Sequence, residues 1–244
     1  MKKLGLGILI TLTVLALSGI TTATPNQTRG EIDKVVFVHY PQGNVPYWSP
    51  IKASAPTDEN TTYKYAGIHW AIPYVEYLVN SSAAPAGADS VVIAAFQTWE
   101  NELNSLMDFE YKGVATSVGS NLDYKNVVSW QDITSQYPGA IAVTIVWYYR
   151  WSKEIVDVDT IMNNGSGFDW SVNDCTDSKC ETPASVSSYD VQNIMTHEAG
   201  HWLMLLDLYQ WRTQKLTMYG YGALGELQKR TLGLGDKLGI DRIY

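Results

Sequence analysis

Residues 187–207 read Ser-Ser-Tyr-Asp-Val-Gln-Asn-Ile-Met-Thr-His-Glu-Ala-Gly-His-Trp-Leu-Met-Leu-Leu-Asp. Ser187, Ser188, Tyr189 and Asp190 stand as a cap before Val191, Ile194 and Met195, so an amphipathic helix is predicted from about Ser188. His197 and His201 fall four residues apart on it. Residues i and i+4 share a helix face, so both imidazoles can point at one ion. Glu198 lies about 100° round from His197 and cannot easily share that coordination. It can instead hold a water on the metal, the position of a general base. Chance alone produces H-E-x-x-H in about three of a thousand such chains, so a solvated surface helix is the weaker reading.

Two protein ligands are too few, because catalytic zinc takes three and keeps an open position for water. Asp207 is the nearest candidate. In an unbroken helix it would sit about 9 Å further along the axis than His201, beyond a carboxylate's reach. The helix must therefore break between Trp202 and Leu206 if Asp207 is to bind.

Here the chain resembles a known family. His197-Glu-x-x-His201, with Asp207 six residues beyond the second histidine, resembles the metzincin zinc signature in its aspartate version. Leu216-Thr-Met218-Tyr219-Gly220 resembles the Met-turn, which implies that Met218 floors the site and is not a ligand. Asp236 to Tyr244 resembles the last helix of the matrixin branch. Trp99 and the stretch Val158–Asn163 resemble that branch more loosely. The resemblance spans Tyr63 to Tyr244 and is strongest over 188–244. It implies that Tyr219, Gly220 and Tyr221 line the pocket for the residue after the cut bond. The family has glycine at position 204, where this chain has Met204. A left-handed non-glycine residue there costs about 1–2 kcal/mol. The turn is then strained, or it is shifted, or Asp207 is not the ligand. Glu226 is the fallback, in a gluzincin-like arrangement. No cysteine stands in a pro-segment where it could block the zinc.

Around this core, 45% of 244 residues are hydrophobic and 17% are charged, which excludes a disordered chain. The formal net charge of -8 repels phosphate, so no nucleic-acid partner is expected. Residues 1–23 read as a signal peptide: Lys2 and Lys3, an apolar run from Leu4 to Ile20, then Thr21-Thr22-Ala23. The alternative is an uncleaved segment that retains the protein at the cell surface. Nothing later is long and apolar enough to span a membrane. Cys175 and Cys180, in an exported chain and a polar loop, are expected to form one short-loop disulfide.

Residues 24–60 read as an N-terminal extension or linker, with a strand-like Val35–Val38 before Pro41, Pro46, Pro50 and Pro56. Strands are predicted at Ile68–Ile72, Ile141–Trp147 and Val156–Met162. A helix is predicted through Val92, Phe96, Trp99, Leu103 and Leu106, capped by Asp89 or Ser90. His39 and His69 read as structural, and without a His-x-Asp pair no second, structural zinc is expected. Calcium is an open alternative near Asp157, Asp159 or the Asp174/Asp177 loop.

Taken together, the expectation is an α+β chain with a mixed sheet, two long helices and a small C-terminal subdomain, metzincin-like by resemblance. Residues 61–244 form the expected catalytic domain. The expected function is that of a secreted, monomeric zinc endopeptidase acting on protein or peptide substrates: His197, His201 and Asp207 hold Zn2+, and Glu198 is the base. The alternatives are an inactive exported binding module of the same fold, supported by the aromatic excess and Met204, and a gluzincin-type peptidase using Glu226.

Overall fold

Val143, Ile145 and Trp147 alternate with Ala142, Thr144 and Val146, and all six are buried. Such a run belongs to a strand covered on both faces. It is β5 (Ala142–Tyr149), and it turns at 150–154 into antiparallel β6 (Ile155–Asn163). The computed structural model describes residues 30–43, 60–172 and 187–244. The leader 1–23, the Asp174/Asp177 loop and the Cys175–Cys180 pair lie outside the described residues.

The remaining elements are β1 (Ile32–Pro41), β2 (Tyr74–Asn80), α1 (Ala88–Glu100), β3 (Asp108–Val114), β4 (Asn126–Gln131), β7 (Trp170–Ser171), β8 (Tyr189–Asp190), α2 (Val191–Trp202), β9 (Tyr221–Gly222) and α3 (Leu234–Ile243). Seven strands make one sheet in the order β3-β2-β4-β6-β5-β1-β9. The β2/β3, β2/β4 and β4/β6 pairs are parallel, whereas β5 runs against both β6 and β1. Among the described residues the fold is therefore α+β with a mixed sheet and three α-helices. A parallel pair needs a crossover, and α1 supplies the one from β2 to β3. Phe96, Trp99, Ile194 and Trp202 from α1 and α2 pack with Val79, Val128, Val158 and Met162 on one sheet face. Ile133, Val143, Ile145, Trp147 and Ile161 form a second cluster on the other.

Several expectations shift. The alternation at Ile68, Trp70 and Ile72 is not a strand; Tyr65 and His69 make isolated bridges, to Leu205 and Glu154. The strand starts after Pro73 instead. α1 begins behind Gly87, at φ 85, and stops at Glu100, so Leu103 and Leu106 lie beyond it, 90% and 69% exposed. Helical spacing continued past the helix because nothing in the pattern marks the end.

The largest difference concerns the segment read as an extension or linker. Ten of its residues form β1, which sits inside the sheet between β5 and β9. Its register with β5 runs from Ile32↔Tyr149 to His39↔Ala142. Folded structure thus begins well before residue 61. The proline run after β1 hid this, because pairing with a strand 110 residues away leaves no local mark. No described helix is long and apolar enough to cross a membrane.

On β6, Asp157 and Asp159 are both buried under the 119–124 loop. Asp157 accepts the amides of Asp123 and Tyr124, and Asp159 accepts that of Val127. One oxygen of each carboxylate has no partner. Burial pushes Asp157 up to about 6, and burial together with Asp157 pushes Asp159 up to about 8. Folded values above the ordinary 3.8 mean the protonated forms are favoured by folding. This contribution is complete below pH 4 and is lost as pH rises through 6 and then 8. Asp159→Asn keeps the acceptor for Val127 and removes the titration. Its melting temperature should therefore gain on wild type steadily between pH 5 and pH 8.5; a constant difference would show that Asp159 does not titrate there.

Candidate functional site

α2 starts where Asp190 accepts the Asn193 amide at 2.8 Å, a side-chain N-cap, and Arg230 pairs with the same carboxylate. The helix is not amphipathic as expected: every residue but Gln192 is buried. It is a central helix with neighbours all round. Gly200 makes one approach possible, since a Cβ there would lie 2.2 Å from Met218 Sδ and 2.9 Å from the Trp99 ring. Met218 thus sits directly beneath the two-histidine stretch.

The helix ends at Trp202, as delivery of Asp207 demanded. Met204 takes φ 61, its amide donates to the His201 carbonyl at 2.9 Å, and the Leu205 amide donates to the Gly200 carbonyl at 3.0 Å. These are the two bonds of a Schellman turn with methionine at the left-handed position. The turn is anchored by Ala66 N–H to Met204 O and by Leu206 N–H to Lys64 O.

Three ligand-type atoms converge beyond it. His197 Nδ1 donates to the Thr217 carbonyl at 2.7 Å, and His201 Nδ1 donates to the Leu205 carbonyl at 2.8 Å. Each ring therefore turns its Nε2 to the same space, and Asp207 Oδ1 lies 3.2 Å from that of His197 and 3.6 Å from that of His201. All three atoms are buried without a hydrogen-bond partner. Ligands about 2.0–2.1 Å from a tetrahedral ion stand about 3.3 Å apart, so the donor set and its spacing fit zinc. Carbonyls that fix the tautomer of ligating histidines are a usual support of such sites. Burial holds His197 neutral, with its pKa lowered to about 4. Burial opposes charge on Asp207 too, yet the attraction of His201, with the hydrogen bonds of both rings, holds its carboxyl far below the usual carboxylate range, and Asp207 in turn pushes the His201 pKa up against the burial that lowers it.

Glu198 points elsewhere. Its Oε2 accepts from Thr144 Oγ1 at 2.6 Å. Thr144 in turn accepts from Thr160 at 2.7 Å, and Thr160 accepts from Trp202 Nε1 at 2.9 Å. This chain of donors runs in one direction and ends on the carboxylate. Its other oxygen, Oε1, is 3.0 Å from His39 Nδ1. Burial pushes the Glu198 carboxyl above its ordinary range.

His39 is the residue that sequence reading missed. One histidine in a strand-like run carries no signal of its own, so its local reading is structural. The fold puts it in the site: its ring lies 4.0 Å from that of His197, and Phe37, two residues earlier on the same strand face, stacks on His201 at 4.0 Å. Burial lowers the His39 pKa to about 3, so the ring is neutral; with Nδ1–H donated to Glu198, Nε2 is a buried lone pair without a partner. His39, His197 and Glu198 form a second group whose donor atoms lie within 4.8 Å of one another. His69, by contrast, is exposed and bonds to Trp70.

Glu226 is not at this site. It accepts from Lys229 Nζ at 2.8 Å and from the Ala223 amide at 3.2 Å, which sets aside its use as third ligand. Tyr221 lies on β9 beside Tyr40 of β1, and the Tyr209 hydroxyl donates to Asp207 at 3.1 Å. Tyr219 is buried, and Gly220 lets the Tyr209 ring approach where a Cβ would stand 2.4 Å away. Asp236 holds this region by accepting the amides of Thr217, Met218 and Gly233. Compared with known proteins, the chain matches no family model and no curated protein.

Met204→Gly tests the turn. It relieves about 1–2 kcal/mol of backbone strain, but it empties a fully buried side chain, which costs about 2–5 kcal/mol. Chemical denaturation should show a net loss of about 1–3 kcal/mol; a stabilised variant would mean that strain dominates. The ligand set is tested by metal content. Asp207→Ala should lose zinc on dialysis, whereas Glu226→Ala should retain it, and the reverse pattern would exclude Asp207.

Proposed function

We propose that the protein is an exported zinc-dependent endopeptidase of metzincin type, most similar to matrixins. The observation that carries this reading is the convergence of two histidine Nε2 atoms and one carboxylate oxygen, all buried and unpartnered, beside a glutamate from the same helical turn. The reversal at Met204 delivers Asp207 as the signature requires. Bound there, zinc supplies a Lewis acid that polarises a scissile carbonyl and acidifies a water. Thr144 orients the Glu198 carboxylate, which takes the proton of the attacking water and hands it to the leaving amine. A buried, water-poor setting strengthens both effects.

β5 and β9 flank β1 in the sheet, and by the resemblance the stretch Tyr219–Tyr221 lines the pocket for the residue after the cut bond. Export rests on the apolar leader and on the closely spaced cysteines. The Thr144–Thr160–Trp202 donor chain orients the Glu198 carboxylate, which supports the catalytic reading. Glu198→Gln should keep zinc at wild-type stoichiometry and lower peptide hydrolysis by at least about a thousandfold, consistent with loss of a general base together with its charge. Wild-type hydrolysis of casein should stop with 1,10-phenanthroline. Zinc-loaded wild type with no hydrolysis of any peptide library would leave the module.

A further inference from the structure

Among the described residues, three stretches read Asn-x-Ser or Asn-x-Thr: Asn60-Thr-Thr62, Asn80-Ser-Ser82 and Asn164-Gly-Ser166. A further one, Asn26-Gln-Thr28, lies outside them. In an exported chain each is a candidate acceptor for an N-linked glycan. By pattern alone the three are equal. The fold separates them, because a glycan is bulky and hydrophilic and its amide must end in solvent once the chain has folded.

Asn80 closes β2 and is 7% exposed. Its Oδ1 accepts from the Ser82 amide at 3.1 Å and from Ser82 Oγ at 2.7 Å. A sugar on its Nδ2 would displace the packing at the end of that strand. Asn60 is partly buried, and both ends of its amide are in use. Nδ2 donates to the Arg212 carbonyl at 2.9 Å, and Oδ1 accepts the Thr62 amide at 2.8 Å. Its main chain also crowds α3, since a Cβ on Gly235 would stand 3.0 Å from Asn60 O.

Asn164 differs in each respect. It is exposed, as is Ser166, on the turn that follows β6. The main chain there is fixed: the Asn164 amide donates to Gln131 O at 3.2 Å, and the Gly165 amide donates to Asn163 Oδ1 at 2.9 Å. Phe168 N–H closes the turn on Gly165 O at 3.2 Å. Gly165 is buried, and a Cβ on it would lie 2.5 Å from Thr134 Oγ1 and 2.6 Å from Asp132 Oδ1. The middle residue thus packs inward while the asparagine and the serine face out. Asn164 Nδ2 has a single long contact, 3.5 Å to the Ala83 carbonyl, outside the usual range of about 2.7–3.2 Å. Little is lost by substituting that nitrogen.

We infer that Asn164 carries an N-linked glycan and that Asn60 and Asn80 do not. The inference rests on the export part of the reading above and not on peptidase activity. Export brings the chain to a lipid-linked oligosaccharide, the donor. Asn164 Nδ2 bonds to C1 of the first sugar, the bond from C1 to the phosphate oxygen breaks, and the displaced amide proton leaves with the lipid pyrophosphate. The glycan projects from the ends of β4 and β6, beside Ala83.

The test secretes the full chain from a yeast with an intact N-glycosylation pathway. Peptides of the secreted protein are treated with a glycan-releasing amidase in heavy-oxygen water, which turns each occupied asparagine into a labelled aspartate read by mass spectrometry. Label at residue 164 should exceed that at 60 or 80 at least tenfold. Ser166→Ala should remove it, and Ser166→Thr should keep it. Secreted protein unlabelled at 164, or labelled as fully at 60 or 80, would overturn the inference and leave export standing. A chain held in the cell with residues 1–23 uncleaved would overturn export and the inference together. Protein labelled at 164 that hydrolyses no peptide would support the site and count against the peptidase reading alone.

Discussion

The left-handed turn at Met204 is the constraint on which the site depends. One reversal does three things. It ends α2 one residue after His201, it aims the Leu205 carbonyl at His201 Nδ1, and it brings Asp207 back to both imidazoles. A longer helix would remove all three together. The strain of about 1–2 kcal/mol is offset by burial of the methionine side chain, which is fully enclosed and contributes a similar amount. Glycine would make the turn easier and leave the space beneath it empty.

The surroundings show how a polar site is kept in a packed interior. Buried polar groups are costly unless bonded, and here nearly every one is held by backbone or by a neighbour. Asp236 takes three amides around the turn that carries Thr217, and Thr217 then fixes His197. Lys229, fully buried, donates to Tyr221 O and Glu226. The atoms left without partners inside the site are Nε2 of His39, His197 and His201 and Oδ1 of Asp207. These four cluster within the site, whereas Asp157 and Asp159 each keep one further unpartnered oxygen on β6.

β1 belongs to both the fold and the site. Its outward side chains, among them Val36, Val38 and Tyr40, join the second hydrophobic cluster, while Phe37 and His39 face the helix. Alternation along a strand makes this division automatic, because successive residues point to opposite faces. A strand can thus stay bound by ordinary sheet pairing and carry two site-directed groups at positions i and i+2.

What the sequence determined by itself is local. The two histidines and the glutamate, their common helix, and the strands β5 and β6 follow from spacing and alternation within a few turns of chain, whereas the break before Asp207 was only a condition for that residue to bind. Met204 was legible as a conflict between residue and turn, although not its resolution. Only the tertiary structure decided the rest. His39 reaches Glu198 across 159 residues and Thr144 reaches it across 54, and Glu226 is drawn away by Lys229. The strands β2, β3 and β4 pair with partners far along the chain, and β1 lies within the segment that reads locally as an extension or linker. Such contacts depend on which edges and faces meet after folding, and periodicity records only what each segment can bury, not what it meets.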